Sequence, residues 1–287
     1  MLRELPSGAA ALMLRVLLCV SCWLAAAAFA MASACADEPP TVEVSGGGEI
    51  GGHVWSAYAN TTIALSGLIA GVPKSIREDG WRLRAGAGYW EYARRQTVWV
   101  SDTGNQTQGG YRRVRRLRTG SYADVLLGYQ AQFGELTLKA FAGAVFANEK
   151  YLLDEVDEDS PGVLTGGRVV LESWYNFGPN AFLQIDVGWT SEPNEFGGRA
   201  RVGYRLTPQI SIGPEAAQWR SDRGTTTPIF ELCRVRCEKY DRRDETTRYG
   251  AFVRYEWSGG EVSLSGGLSD NGHDSDFYAT LNALLRF

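Results

Sequence analysis

An all-β fold, a transmembrane up-and-down antiparallel β-barrel of about 12 strands, is what this sequence predicts. Three observations predict it. Apolar and polar residues alternate with period 2 through about twelve stretches, and side chains alternate in that way along a strand. Most stretches approach the ~10 residues that a tilted strand needs to cross a bilayer. Long and short connections then follow each other in phase, as they do in barrels with short turns on one side of a membrane and long loops on the other. No convincing helix is legible. No run of ~18 apolar residues follows residue 36, so the mature region has no helical span.

The N-terminus stands apart. Arg3 and Arg15 precede "VLLCVSCWLAAAAFAMASACA", a basic region, an apolar region and small residues in the pattern of a secretory signal. Cleavage is expected after Ala36, with a cut after Ala30 as an alternative. An uncleaved anchor and a lipid at Cys35 are two further readings. The lipid reading lacks the large aliphatic residue such a site usually has. Residues 1–36 are therefore expected to leave, and 37–287 to form a single barrel domain.

The strands are expected near 41–48, 52–68, 80–93, 119–133, 135–148 and 164–177. Six more follow near 181–191, 197–206, 209–220, 246–258, 261–270 and 276–287. The first, "TVEVSGGGE", has the weakest signal. The last, "FYATLNALLRF", alternates cleanly and ends the chain on Phe287. Its terminal aromatic resembles the signal read by the bacterial barrel-insertion machinery. The expected loops 94–118, 149–163 and 221–245 are long. Phe133-Gly134, Gly178-Pro179-Asn180, Thr207-Pro208 and Ser258-Gly259-Gly260 are tight turns. A longer turn at 69–79, with Pro73, breaks the rhythm.

A soluble β-sandwich also alternates, so the character of the faces decides. The apolar face carries aromatic residues near its ends, such as Trp81, Tyr89, Phe133, Phe177, Tyr255, Trp257 and Phe287. Rings in those places suit the headgroup level of a membrane. The opposite face mixes arginine, carboxylates and glycine, which suits a narrow lumen. Inward lumen candidates are Arg82, Arg84, Glu172, Asp186, Arg199, Arg201, Arg205, Glu215, Arg254 and Glu256, together with Glu91 and Asp124. Paired, they would brace a small barrel. Unpaired, they would line a selective path.

Trp90, Tyr122, Trp219 and Tyr278 are expected inward near the outer mouth, as platforms for sugar rings, as ordinary packing, or with a bulge turning one outward. Five arginines from Arg112 to Arg118 and five acidic residues from Asp154 to Asp159 fall in neighbouring outer loops. They can neutralise each other, contact lipopolysaccharide phosphates or attract divalent cations. The formal net charge of −4 gives no reason to expect nucleic acid as a partner.

Cys233 and Cys237, in "CRVRC", are expected to form a disulfide in an exported chain. Only His53 and His273 are available as imidazole ligands, so no metal site and no cofactor are expected. An enzyme is not expected either. A barrel hydrolase using His273, in "NGHDSD", is kept as an alternative, although no nucleophile motif accompanies it.

The segments "EDGWRLRAGAGYWEY", "LLGYQAQFGELTLKAFAGAVFANEK" and "GGRVVLESWYNF" carry a family resemblance. Over about residues 45–287 the chain resembles the cellulose biosynthesis protein BcsS family of α-proteobacteria. The resemblance implies an outer-membrane protein of a bacterial cellulose synthesis and export system. Its partners would be outer-membrane lipid and lipopolysaccharide, cellulose (glucan), and other components of the cellulose synthase complex. It carries over no functional residue. A pore or a glucan- or partner-contacting scaffold is the expected role, with a general small-solute porin as the alternative.

Overall fold

The computed structural model describes residues 39–65, 75–101, 109–153, 156–192, 194–222, 243–271 and 275–287. The leader, Cys233, Cys237 and His273 lie outside the described residues. Twelve strands follow in chain order: β1 Val42–Gly51, β2 Val54–Ala64, β3 Gly80–Ser101, β4 Gly109–Phe133, β5 Leu136–Leu153 and β6 Val156–Phe177. The second half comprises β7 Ala181–Thr190, β8 Glu195–Arg205, β9 Ile210–Asp222, β10 Arg243–Trp257, β11 Gly260–Asp270 and β12 Ser275–Arg286.

Each strand pairs antiparallel with its sequence neighbour, and β1 pairs with β12 to close the barrel. Closure satisfies backbone groups that would otherwise be left without partners in lipid. The seam runs from Glu43↔Arg286 to Gly51↔Tyr278. The final residue takes part in it, since Phe287 N donates to Val42 O at 2.8 Å and Val42 N donates back to Phe287 O at 2.9 Å. The weakest stretch of the sequence is thus a full member of the wall.

The start of β1 and the end of β12 lie at one rim, here the inner rim. The β4–β5, β6–β7, β8–β9 and β10–β11 turns at that rim are tight, and the β2–β3 connection is longer. Gly134 (φ 61°) and Gly178 (φ 69°) occupy the left-handed region, which costs glycine little and other residues more. At the outer rim the ladder continues where loops were expected. β3 and β4 pair as far as Ser101↔Gly109, and β5 and β6 as far as Leu153↔Val156. Val98, Trp99, Val100, Tyr111 and Val114 explain this by their strand propensity. Interleaved arginines had broken the period-2 pattern and hidden it.

The exterior is greasy. Leu127 is 49% exposed, Leu264 52% and Phe277 79%. In water, so large an apolar surface on a single chain would be an aggregation hazard. In lipid it is the required exterior. Aromatic rings cluster toward the inner rim, where Trp81 meets Tyr129 edge-on at 5.4 Å and Tyr175 meets Phe177 at 4.7 Å. Tyr89, Phe146, Trp189, Phe196 and Tyr249 are exposed toward the outer rim. The helix-free wall, closed edge and aromatic belts define a membrane-spanning barrel.

Depth in the bilayer sets the cost of a charge on this exterior. Leu127→Arg, at mid-wall, is expected to lose about 2–4 kcal/mol of stability, and Leu206→Arg, at the inner rim, about 1 kcal/mol or less. Equilibrium unfolding from lipid vesicles measures both. Equal losses would contradict this placement of the membrane.

Candidate functional site in the barrel lumen

The lumen is built on a local device repeated around the wall. An inward aromatic lies across from a glycine on the next strand. The register pairs are Trp90↔Gly120 and Gly88↔Tyr122, Gly128↔Phe141, Phe182↔Gly203 and Gly197↔Trp219. A Cβ on Gly88 would stand 2.5 Å from Tyr122 Cε1, and one on Gly197 would stand 2.8 Å from Trp219 Cδ1. Each ring therefore occupies the space that a side chain on the facing glycine would need.

An arginine covers each of these rings. Arg118 stands 5.1 Å from the Trp90 centroid, Arg168 5.0 Å from Tyr122, Arg84 5.6 Å from Phe141, Arg254 4.4 Å from Phe182 and Arg248 4.5 Å from Trp219. Such contacts contribute about 0.5–2 kcal/mol, most where water is excluded. Each guanidinium then meets a carboxylate. Arg84 pairs with Glu172 at 2.7 Å, Arg168 with Asp124 at 2.8 Å, Arg254 with Glu256 at 3.1 Å, Arg118 with Glu149 at 3.7 Å and Arg248 with Glu49.

These pairs cross the lumen as well as following its wall. Arg286 on β12 reaches Glu43 on β1 at 3.2 Å. Lys139 on β5 reaches the same Glu43 at 3.4 Å and Glu172 on β6 at 3.9 Å. With Arg84, they form an ionic chain from one side of the barrel to the other. A second crossing is centred on Glu215, which accepts from Arg201, from Ser265 Oγ at 3.1 Å and from Tyr278 Oη at 3.2 Å. Arg201 also donates to Ser265 Oγ at 2.8 Å, and Arg199 pairs with Asp186 at 2.9 Å.

Several large side chains of the inner half are shielded from water. Leu126 and Phe182 are fully buried, as are Arg82 and Arg254 at 1% exposure, although all four face the lumen. Residues 75–79 lie as a strap over the inner mouth. Arg82 donates to the carbonyls of Ile76 (3.2 Å) and Glu78, and Gln130 Nε2 donates to the Glu78 carbonyl at 3.1 Å. Ile76 N donates to Pro40 O at 2.6 Å beside β1. Arg77 reaches Ser258 O in the β10–β11 turn at 2.6 Å. The strap thus joins β3 and β4 to the opposite side of the mouth.

All ten charged lumen candidates from the sequence have inward register, and most enter these networks. Arg205 lies 5.2 Å from the Phe182 ring and donates to Asn176 Oδ1 at 2.8 Å. Glu91 requires correction: it shares the outward side with exposed Tyr89 in an unbroken register with β4. Lys139, Glu43, Glu49 and Arg168 were missed. The alternation could have found them, because each stands opposite an apolar neighbour in its own strand.

The four aromatic candidates near the outer mouth all face inward, but each already carries an arginine. Tyr278 is 4% exposed, whereas Trp219 is 40% exposed. At the outer rim, His53 Nε2 lies 3.2 Å from Asp276 Oδ2. Among the described residues no group of His, Cys, Asp and Glu is arranged to hold a metal.

A closed, helix-free barrel with a lipid-facing exterior and a charged interior is a bacterial outer-membrane β-barrel. The model of the family described as "Cellulose biosynthesis protein BcsS" matches residues 47–228, more than half of the chain. The chain belongs to that family. No curated protein matches it. Among solved structures, the transport unit of the autotransporter AIDA-I from Escherichia coli is 12% identical. The match covers 88% of this chain and 91% of that one, with a TM-score of 0.46. The translocator domain of the autotransporter NalP from Neisseria meningitidis is 11% identical, covering 95% and 98%, with a TM-score of 0.45. A KdgM porin is 8% identical, covering 85% and 99%, with a TM-score of 0.42.

The Glu215 crossing allows a test of how the lumen is stabilised. Arg201→Met leaves a buried carboxylate without its cation and is expected to cost about 3–5 kcal/mol. The double change Arg201→Met with Glu215→Leu is expected to recover most of that loss. Equilibrium unfolding measures both, and a double variant as unstable as the single one would contradict the pairing.

Proposed function

We propose that this protein is a non-catalytic accessory of cellulose biosynthesis, acting as a closed outer-membrane scaffold that contacts glucan or a partner of the synthase complex. The observation that carries this reading is the burial of large lumen side chains in the inner half, beneath the strap at 75–79. A path for solute needs continuous water, and Arg82, Arg254, Phe182 and Leu126 are shielded from it. Support for the pathway comes from the family match.

In this reading the paired lumen charges make the cylinder rigid, and the polymer leaves by another route. Contact with glucan falls to the outer mouth. Trp219, the exposed member of the aromatic set, is the first candidate there, with Trp90 and Tyr122 beside it. Tyr278 serves the Glu215 network instead. Residues 1–36 act as the export leader, and Cys233 and Cys237 pair as a disulfide.

Planar-bilayer recording tests the closed state. The wild-type barrel is expected to show little steady conductance, and Arg77→Ala with Arg82→Ala to raise it by loosening the strap. A large stable wild-type conductance would favour the general porin instead. In cells, deletion is expected to impair cellulose production or its surface organisation while leaving small-solute uptake unchanged. His273→Ala is expected to leave cellulose intact, and its loss would revive the hydrolase.

A further inference from the structure

The outer rim is uneven. β3 and β6 are each 22 residues long, and both meet the inner rim, at Gly80 and Phe177. Their neighbours β2 and β7 have 11 and 10 residues. β2 accompanies β3 only to Val54↔Tyr92, and β7 accompanies β6 only to Arg168↔Thr190. Strands β3 to β6 therefore stand as a wall above the rest of the rim. Among the described residues, this wall has two edges without a strand partner, β3 over 94–101 and β6 over 156–165. Equal strand lengths bring the two edges to about the same height.

The two edges carry opposite charge. Residues 94–101 and 109–116 hold six arginines and no acidic residue. Arg94 stands opposite Arg116, and Arg95 opposite Arg115. Like charges directly opposite each other destabilise a pair of strands, and a two-stranded ribbon is marginal in water even without that cost. On β6, Asp157, Glu158 and Asp159 occupy consecutive positions. Within the chain β5 separates them from β4, in the rows Leu117–Leu152–Asp157 and Arg118–Tyr151–Glu158. The basic strand β3 is one strand further away, so the wall has one basic edge and one acidic edge.

We infer that a second copy of this chain completes the wall, its β6 edge pairing antiparallel with the β3 edge of the first. An unpaired edge offers a row of backbone donors and acceptors to an added strand. Two copies upright in one membrane keep their strand directions. β3 runs toward the outer rim and β6 runs away from it, so these two edges meet antiparallel, whereas two β3 edges would meet parallel. Charge selects the same partner. β3 against β3 sets arginine beside arginine, and β6 against β6 sets carboxylate beside carboxylate. Pro161 lacks a backbone donor and limits the ladder on its side to residues 156–160. The contact is head-to-tail, so it builds rows or rings of barrels rather than a closed pair. The inference rests on the outer-membrane location and is independent of whether the lumen is closed and of any contact with glucan.

Cross-linking of the refolded full barrel in phosphatidylcholine vesicles tests it, in a chain whose native cysteines are replaced by serine. Thr97→Cys and Ser160→Cys are made in separate copies. Their mixture is expected to yield disulfide-linked dimers at about tenfold the level of either variant alone. Arg94→Glu with Arg95→Glu in the Thr97→Cys copy is expected to cut that yield about tenfold. Asp157→Lys with Glu158→Lys in the Ser160→Cys copy is expected to restore it. Heat-modifiable gel mobility confirms that every variant is folded. Dimers from Thr97→Cys alone at the level of the mixture would overturn the head-to-tail pairing, as would an unchanged yield from the charge-reversed copy. No cross-links in the folded mixture would overturn the contact and leave these edges to a different protein.

Discussion

A guanidinium placed inside a barrel must be neutralised, and its stem needs a surface to lie against. In this barrel both needs are met within one layered unit. Glycine clears the wall, an aromatic ring fills the space it leaves, arginine lies over the ring, and a carboxylate meets the arginine. Gly203, Phe182, Arg254 and Glu256 form one such stack. Gly88, Tyr122, Arg168 and Asp124 form another. The abundance of glycine and arginine follows from this geometry. Lysine could supply the charge but not the planar contact, and in the described lumen it serves at Lys139, where a long stem reaches two carboxylates.

The unit also sets the character of the interior. Removing one partner from a buried pair costs more than the pair itself contributes. The crossings at Lys139 and Glu215 therefore specify one arrangement of the strands more than they add net stability. The strap at 75–79 extends the same logic to backbone. Carbonyls turned away from water need protein donors, and Arg82 and Gln130 supply them. A cylinder braced in this way suits a fixed surface better than a conduit. That is why the cellulose role proposed above is placed at the mouth.

Period-2 alternation made most of the wall legible in the sequence, because lipid on one side and paired charge on the other leave little freedom of register. It failed where both faces carried polar residues. β3 and β4 continue through Arg94, Arg95, Arg115 and Arg116, and this stretch was expected to be a loop. The cross-lumen partners were less legible. Lys139 and Glu43 are 96 residues apart, and only barrel closure brings them together. The packing of rings against glycine was hidden for the same reason. Each partner lies on a different strand, and the register that joins them depends on turn lengths as well as pattern.

Water access to the inner lumen tests the central claim most directly. Ser211 faces the lumen near the inner rim and is 1% exposed, while Ser56 faces it near the outer rim. Single cysteines at these positions, in a chain whose native cysteines are replaced by serine, can be challenged with a small charged thiol reagent after refolding into vesicles. The account predicts that Ser56→Cys is labelled and Ser211→Cys is protected until the barrel unfolds. Rapid labelling of Ser211→Cys in the folded barrel would contradict it.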